Sequence, residues 1–217
     1  RSGAMDNFHF QKKHRFVQES ILFLPERGTK RPKITHTIWR RPIYFYEENI
    51  SRFEHPHGHS KIIDLKKVSG NIIAVQGVGT PHKEFILRVC KYVTKWMQVI
   101  HPTVHCCNDV IVGTGVVIKQ KVILMPYVKL GKFVQINVGA LIGHHVEVGD
   151  YSCIGPSANI MGRVTIGEEC YIGVNSVILE KLKIADRVVI GAGAVVNRDI
   201  SEAGTVWAGV PAKMIKK

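Results

Sequence analysis

From Val112 to Val196 every sixth residue is a branched aliphatic: Val112, Ile118, Leu124, Leu130, Ile136, Ile142, Val148, Ile154, Ile160, Ile166, Ile172, Ile178, Ile184, Ile190 and Val196. No insertion or deletion interrupts the run. A second column, two residues earlier and running from Val110 to Ala194, is mostly small or β-branched, with Ala140, Ser152, Ala158, Cys170 and Ser176 among its members. A period of six is neither the 3.6 of a helix nor the 2.0 of a plain strand. It fits a short strand followed by a turn, so that three hexads close one triangular coil. Fifteen hexads then make five stacked coils, with large aliphatics inside and the small residue near each corner. Glycine often follows the large aliphatic, as at Gly113, Gly143 and Gly173. It is expected there for a positive φ or a tight corner. The competing reading, a β-sandwich with evenly spaced strands, does not account for two linked columns.

The rest of the chain has a different composition. Residues 1–100 hold 18 Lys+Arg against 8 Asp+Glu, and residues 101–217 hold 12 against 9, so +10 of the net +13 lies in the first part. Twelve of 17 aromatics lie there too, whereas 14 of 20 glycines lie after residue 100. The shift predicts two domains meeting near His101-Pro102. Arg1–Ala4 before Met5 reads as a tag remnant. No apolar run approaches the length of a membrane span. Five cysteines (90, 106, 107, 153 and 170) without C-x-x-C spacing fit a reducing compartment, and the expected location is the cytoplasm.

In the first hundred residues, 81–98 predict an amphipathic helix, with Thr80 as N-cap, Pro81 at its first position and Phe85, Ile86, Val89, Val93 and Trp96 on one face. Asn71–Val75, Pro42–Tyr46 and Lys61–Leu65 read as strands. The run His55-Pro-His-Gly-His59 lacks cysteine or carboxylate partners and reads as a polar loop; no metal is expected.

With the repeat in place, several motifs narrow the comparison: Ile136-Asn-Val138, Ile142-Gly-His-His-Val-Glu-Val-Gly149, Gly162-x-Val-x-Ile-Gly167, Ile190-Gly-Ala-Gly-Ala194 and Gly209-Val-Pro-Ala-Lys213. Together they resemble the hexapeptide-repeat acyltransferases, and within them the group of sialic acid O-acetyltransferases and nucleotide-4-amino-sugar N-acetyltransferases of bacillosamine-type pathways. The resemblance covers residues 71–217. It implies a left-handed parallel β-helix at 101–205, a capping segment at 206–217 and a small, diverged α/β acceptor-binding domain at 5–100.

It also implies chemistry. Acetyl transfer from a thioester needs a base for the acceptor's proton and donors for the oxyanion. By residue type alone, His144 and His145 read as solvated turn histidines. The resemblance puts His144 on the family's catalytic base and Asn137 on an active-site asparagine. Gly162, three hexads and so one coil above His144, matches a glycine that contacts acetyl-CoA, and its N–H would face the thioester carbonyl. Relatives carry Asp or Glu directly after the base, where this chain has His145. Cys153 falls where some relatives have a second histidine. A coenzyme A arm would follow Val174, Gly191, Ala192, Pro211 and Lys213, between subunits of a homotrimer. In relatives the first domain binds the nucleotide sugar through a glycine-rich turn. That turn is missing here, and Arg40 and Arg41 are candidates to attract the diphosphate instead.

The function implied is acetyl-CoA-dependent N-acetylation of a nucleotide-linked amino sugar, of the UDP- or dTDP-4-amino-4,6-dideoxyhexose type. O-acetylation on the same fold is one alternative. Another is a non-catalytic scaffold whose basic domain binds a polyanion through Lys30–Lys33 and Arg40-Arg41. The joint presence of Asn137, His144 and Gly162 argues against nucleic acid as the partner.

Overall fold

A computed structural model describes residues 21–25, 44–46, 61–62, 72–76 and 83–217. Thr80, Pro81, the 55–59 histidine run, Lys30–Lys33, Arg40 and Arg41 lie outside the described residues.

The hexads form a parallel β-helix with three flat faces. Short parallel strands on the first face begin at Val99, Val117, Gln135, Cys153, Tyr171, Val189 and Val206, and the face ends with Lys213–Lys216, which pairs antiparallel to Val206–Ala208. The second face starts from His105, Ile123, Leu141, Asn159, Val177 and Val195, and the third from Ile111, Lys129, Glu147, Thr165 and Lys183. Each strand pairs with the one three hexads on, as in Ile136↔Ile154 and Ile142↔Ile160. Residue identity therefore sets the column, and the three-hexad step sets the neighbours above and below.

The large-aliphatic column fills the interior. From Ile118 to Val196 every member is buried, and the small column is buried beside it from Val116 to Cys170. Each such aliphatic contributes about 1.5–3 kcal/mol by leaving water. The two buried serines of the small column are satisfied: Ser152 Oγ donates to Gly167 O at 2.8 Å, and Ser176 Oγ donates to Gly173 O at 2.8 Å.

Two expectations about the repeat need correction. The first face carries seven parallel strands where the hexad run implied five coils. Ile100 and Cys106 already occupy the inward column, pairing with Ile118 and Leu124, but Cys106 is not a branched aliphatic. At the far end the last coil is shortened. Ile200 bridges to Ile184 and Trp207 pairs with Ile190, and both spacings fall short of the three-hexad step.

The second correction concerns glycine. The positive φ falls three residues after the aliphatic, and there it is taken mostly by non-glycine residues such as Phe133, His145 and Arg163. The glycine is needed for close approach. A Cβ on Gly113 would lie 2.5 Å from Gly131 O, and one on Gly173 would lie 2.6 Å from Gly191 C, both in the coil above.

The described residues before the β-helix contribute a five-stranded sheet. Its strands are β1 (Ile21–Pro25), β2 (Tyr44–Tyr46), β3 (Lys61–Ile62), β4 (Ile72–Gln76) and β5 (Lys95–Trp96), in the order β3-β2-β1-β4-β5. The helix is shorter than the 81–98 expected: α1 spans Lys83–Cys90. Beyond Cys90 the chain turns and adds β5 parallel to β4. Val93, Thr94 and Trp96 are better suited to a strand than to a helix. Thr94 fixes the junction, its N–H donating to Ile72 O at 2.9 Å and its Oγ1 accepting from Ile72 N at 3.1 Å.

Helix α1 packs Phe85, Ile86 and Val89 with Ile72 and Ala74 against Phe133, a turn residue of the β-helix between the third and first faces. Phe133 meets Trp96 edge-on at 5.0 Å and stacks on Tyr151 at 5.4 Å. Lys83 adds ion pairs to Glu169 at 2.9 Å and Glu168 at 3.5 Å. Hydrogen bonding to Glu169 is the main reason the Lys83 ammonium titrates above its ordinary range. These contacts dock α1 and the strands beside it on the third–first corner.

Candidate active site

The second–third corner carries the histidines. Ile142 and Val146 are fully buried, so the three residues between them must bridge outward around the edge. Gly143 enters the turn with its N–H donating to Ile160 O at 2.8 Å. His145 then takes φ +58°, which turns its N–H toward Pro126 O in the coil below, at 3.0 Å. His144 O in turn accepts from Arg163 N in the coil above, at 2.8 Å. A left-handed residue in every turn is strained for most side chains. Here the stacking bonds hold it.

The His144 ring lies over Gly162. A Cβ on Gly162 would sit 2.5 Å from His144 Nε2, so the ring occupies the space that any side chain there would take. The other ring nitrogen, Nδ1, lies 3.1 Å from His145 Nδ1, with the two rings near perpendicular at 88°. His145 leans on Tyr127, with centroids 4.7 Å apart. His144 is half-buried and His145 exposed. The corner thus offers an imidazole nitrogen beside a glycine backbone at the surface. That arrangement can take a proton and donate an N–H to developing negative charge.

Asn137 sits at a different corner, where the first face turns into the second. Its Oδ1 accepts from Lys119 Nζ at 2.8 Å, and its Nδ2 donates to Ile154 O at 2.9 Å and lies 3.4 Å from Cys153 Sγ. Both ends of the amide are therefore engaged within its own column. Cys153 points outward on the first face yet is only 1% exposed. Val174, Gly191 and Ala192 follow on that same first–second corner, two and three coils above Asn137. The C-terminal segment lies over them: Val195 N donates to Gly209 O at 3.0 Å and Ala212 N donates to Val195 O at 2.7 Å, which leaves Pro211 and Lys213 exposed at the end of the column.

Within one chain, then, the structure brings His144, His145 and Gly162 together. Asn137, Cys153 and the expected coenzyme A residues form a second group on the neighbouring corner, one face away. Tyr127 and Lys119 complete these two groups and were not singled out from the sequence. The signal for both is the three-hexad step, which puts Tyr127 under His145 and Lys119 under Asn137. Among the described residues no cluster of His, Cys, Asp and Glu is arranged to hold a metal ion.

Residues 163–198 match the bacterial transferase hexapeptide (six repeats) family. No curated protein matches the chain by sequence. Among solved structures, it is similar to a mutant perosamine N-acetyltransferase from Caulobacter crescentus in complex with CoA and GDP-perosamine. The identity is 26%, the TM-score 0.60, and the match covers 62% of this chain and 64% of that one. The acetyltransferase domain of PglB from Neisseria gonorrhoeae is 28% identical with a TM-score of 0.59, over 61% of this chain and 64% of that one. That domain has also been solved in complex with acetyl coenzyme A. WeeI from Acinetobacter baumannii shares the fold more widely, with a TM-score of 0.70 over 78% of this chain and 84% of that one, at 21% identity. The chain spans less than two thirds of the length of the first two. The resemblance to hexapeptide-repeat sugar acetyltransferases read from the hexads and motifs is borne out by these matches.

Proposed function

We propose that the chain is an acetyl-CoA-dependent N-acetyltransferase acting on the amino group of a nucleotide-linked amino sugar. The observation that carries this is the His144 ring seated on Gly162 at an exposed β-helix corner, in a chain similar to sugar N-acetyltransferases solved with CoA and GDP-perosamine or with acetyl coenzyme A. Nε2 of His144 takes a proton from the amine as its nitrogen bonds to the acetyl carbon. The Gly162 amide donates to the oxyanion of the tetrahedral intermediate. The C–S bond then breaks, the coenzyme A thiolate leaves, and the proton on Nε2 passes to that thiolate.

Coenzyme A is a co-substrate, and the first–second corner suits its arm. Ala192 and Val174 are exposed there beside Gly191, and Lys213 supplies a cation for phosphate. Because this group and His144 stand on different corners of one chain, a complete site needs two neighbouring β-helices, as in a homotrimer. The outward positions of the second face fit that role. Ile123, Leu141, Val177 and Val195 are apolar, interrupted by Asn159, whereas the third face presents Ile111 followed by Lys129, Glu147, Thr165 and Lys183. Such an enzyme works where acetyl-CoA and nucleotide sugars are made, in the cytoplasm. The basic first domain, with Arg40 and Arg41, meets the diphosphate.

The test is a panel of UDP-, dTDP- and GDP-linked amino sugars with acetyl-CoA, read by product mass. The expected result is gain of one acetyl group on an amino sugar, blocked when the amine is already acetylated. Transfer only to hydroxyl acceptors would move the reading to an O-acetyltransferase. Thermal stabilisation by an oligonucleotide but not by acetyl-CoA would overturn it in favour of a scaffold.

A further inference from the structure

We infer that His145 is a positioning residue that sets the tautomer of His144 by acting as a neutral hydrogen-bond acceptor, in the place where relatives have a carboxylate. The inference rests on the acetyl-transfer reading above, and it concerns what replaces the acid.

The Nδ1 atoms of the two rings are 3.1 Å apart. Two neutral imidazoles can satisfy that contact in only two ways, because one nitrogen must carry the proton and the other must not. If His145 donates, His144 Nδ1 is the acceptor and its Nε2 carries hydrogen, so the nitrogen over Gly162 cannot take a proton. If His144 donates, its Nε2 has a free lone pair facing the space beside Gly162. Only the second arrangement makes a base. In it, His145 is protonated at Nε2 and accepts at Nδ1. The bond also persists through the reaction, since an imidazolium on His144 still donates from Nδ1.

Two further features hold His145 in that role. Its backbone is fixed at φ +58° by the bond from its N–H to Pro126 O, which aims the side chain across the turn toward His144. Its ring rests on Tyr127 at 4.7 Å, which limits rotation about χ2. Among the described residues no carboxylate bonds to either ring, so the acceptor that orients His144 is an imidazole. A neutral acceptor positions the base without the fixed charge a carboxylate would add.

The substitution series separates the acceptor from the shape. His145→Phe keeps a ring at the turn, a position where Phe133 and Tyr151 already take φ +56° and +60°, and removes the acceptor. His145→Asn removes the ring and keeps an acceptor oxygen near the Nδ1 position, with a residue type that tolerates positive φ. His145→Asp restores the carboxylate of relatives. With ¹⁵N-histidine-labelled protein at a pH basic enough to keep imidazole neutral, the wild-type His144 signals should report a protonated Nδ1 and a bare Nε2. That preference should be lost in the Phe variant and kept in the Asn and Asp variants. In acetyl transfer the Phe variant should lose about tenfold in kcat, about the scale of one hydrogen bond, with KM for acetyl-CoA unchanged. The Asn and Asp variants should recover it. A wild-type His144 protonated at Nε2, or a Phe variant with full kcat, would overturn the inference. The ring signals are read without turnover, so a wild-type chain that transfers no acetyl group sinks the function and leaves the tautomer result standing by itself.

Discussion

At the third–first corner the second turn residue is Asp in two coils, and at the second–third corner the same position holds Pro126, His144, Gly162 and Glu180. The backbone is the same hexad at both. At the former, Asp150 Oδ1 accepts from Lys132 N at 2.7 Å and Asp186 Oδ1 accepts from Glu168 N at 2.8 Å, so each aspartate caps a turn amide in the coil below. Phe133 and Tyr151 then add an apolar seat for α1. At the latter, Gly162 has no side chain with which to cap the coil below, and Pro126 brings no N–H. The third–first corner uses aspartates to cap two turn amides, Lys132 N and Glu168 N, and no side chain caps one in that way at the His144 turn. One repeat thus makes a docking edge and a candidate catalytic edge from the choice of a single residue per turn.

Alanine at a glycine should break the two corners in different ways. Gly162→Ala sets a Cβ against the His144 ring, which can swing away. Acetyl transfer is expected to fall about a hundredfold, within the range for a misplaced acid–base group, with the melting temperature close to wild type. Gly113→Ala, at the third–first corner, sets its Cβ 2.5 Å from a backbone oxygen that cannot yield. That variant should lose about 1–3 kcal/mol of stability while the folded fraction keeps its activity. Equal effects on activity and stability for both variants would erase the distinction.

Cys170 sharpens the comparison from inside the third–first corner. Its thiol lies 3.1 Å from Ala185 O and is pushed up to about 11 by burial. Below about pH 9 the thiol is protonated in both folded and unfolded chains. From there to about 11 only the unfolded chain releases its proton, so it binds fewer protons than the fold and stability falls as pH rises. The expected loss is about 2–3 kcal/mol across that interval. Urea midpoints measured at both ends should show it. Cys170→Ala, which suits the small column, should make the slope shallower without abolishing it, because Lys83, Cys90 and Tyr151 also hold their protons longer in the fold; a slope of equal steepness in both proteins would refute the assignment.

The smallest effect concerns a cap. Asp150→Ala removes the acceptor for Lys132 N, which should cost about 1 kcal/mol and lower the melting temperature by about 2–4 °C. Acetyl transfer should stay unchanged. A loss of activity there would mean that the two corners are not independent.

The aliphatic column alone fixes the coil, because Ile136, Ile142 and their equivalents can reach the interior only at one register. Its ends were not legible. Cys106 is not a branched aliphatic and so does not mark a hexad, and the shortened final coil puts Ile200 and Trp207 out of phase. Glycine misled in part, since sequence does not distinguish a positive φ from a crowded neighbour above. At the site, His144 and Gly162 are joined by the three-hexad step and could be found. Tyr127 beneath His145 follows the same step, but a tyrosine at a turn carries no chemical signal until its neighbour is known. Asn137 lies close to His144 in the chain and yet a face away, because a short separation can still cross a corner.

His144 acting as the base is the central claim, and the direct measurement is the initial rate of acetyl transfer from acetyl-CoA to an amino-sugar nucleotide by His144→Ala beside wild type. The expected result is a fall of about a thousandfold, within the span of general-base effects, with binding of acetyl-CoA and the melting temperature retained. A rate near wild type from the folded variant would contradict it.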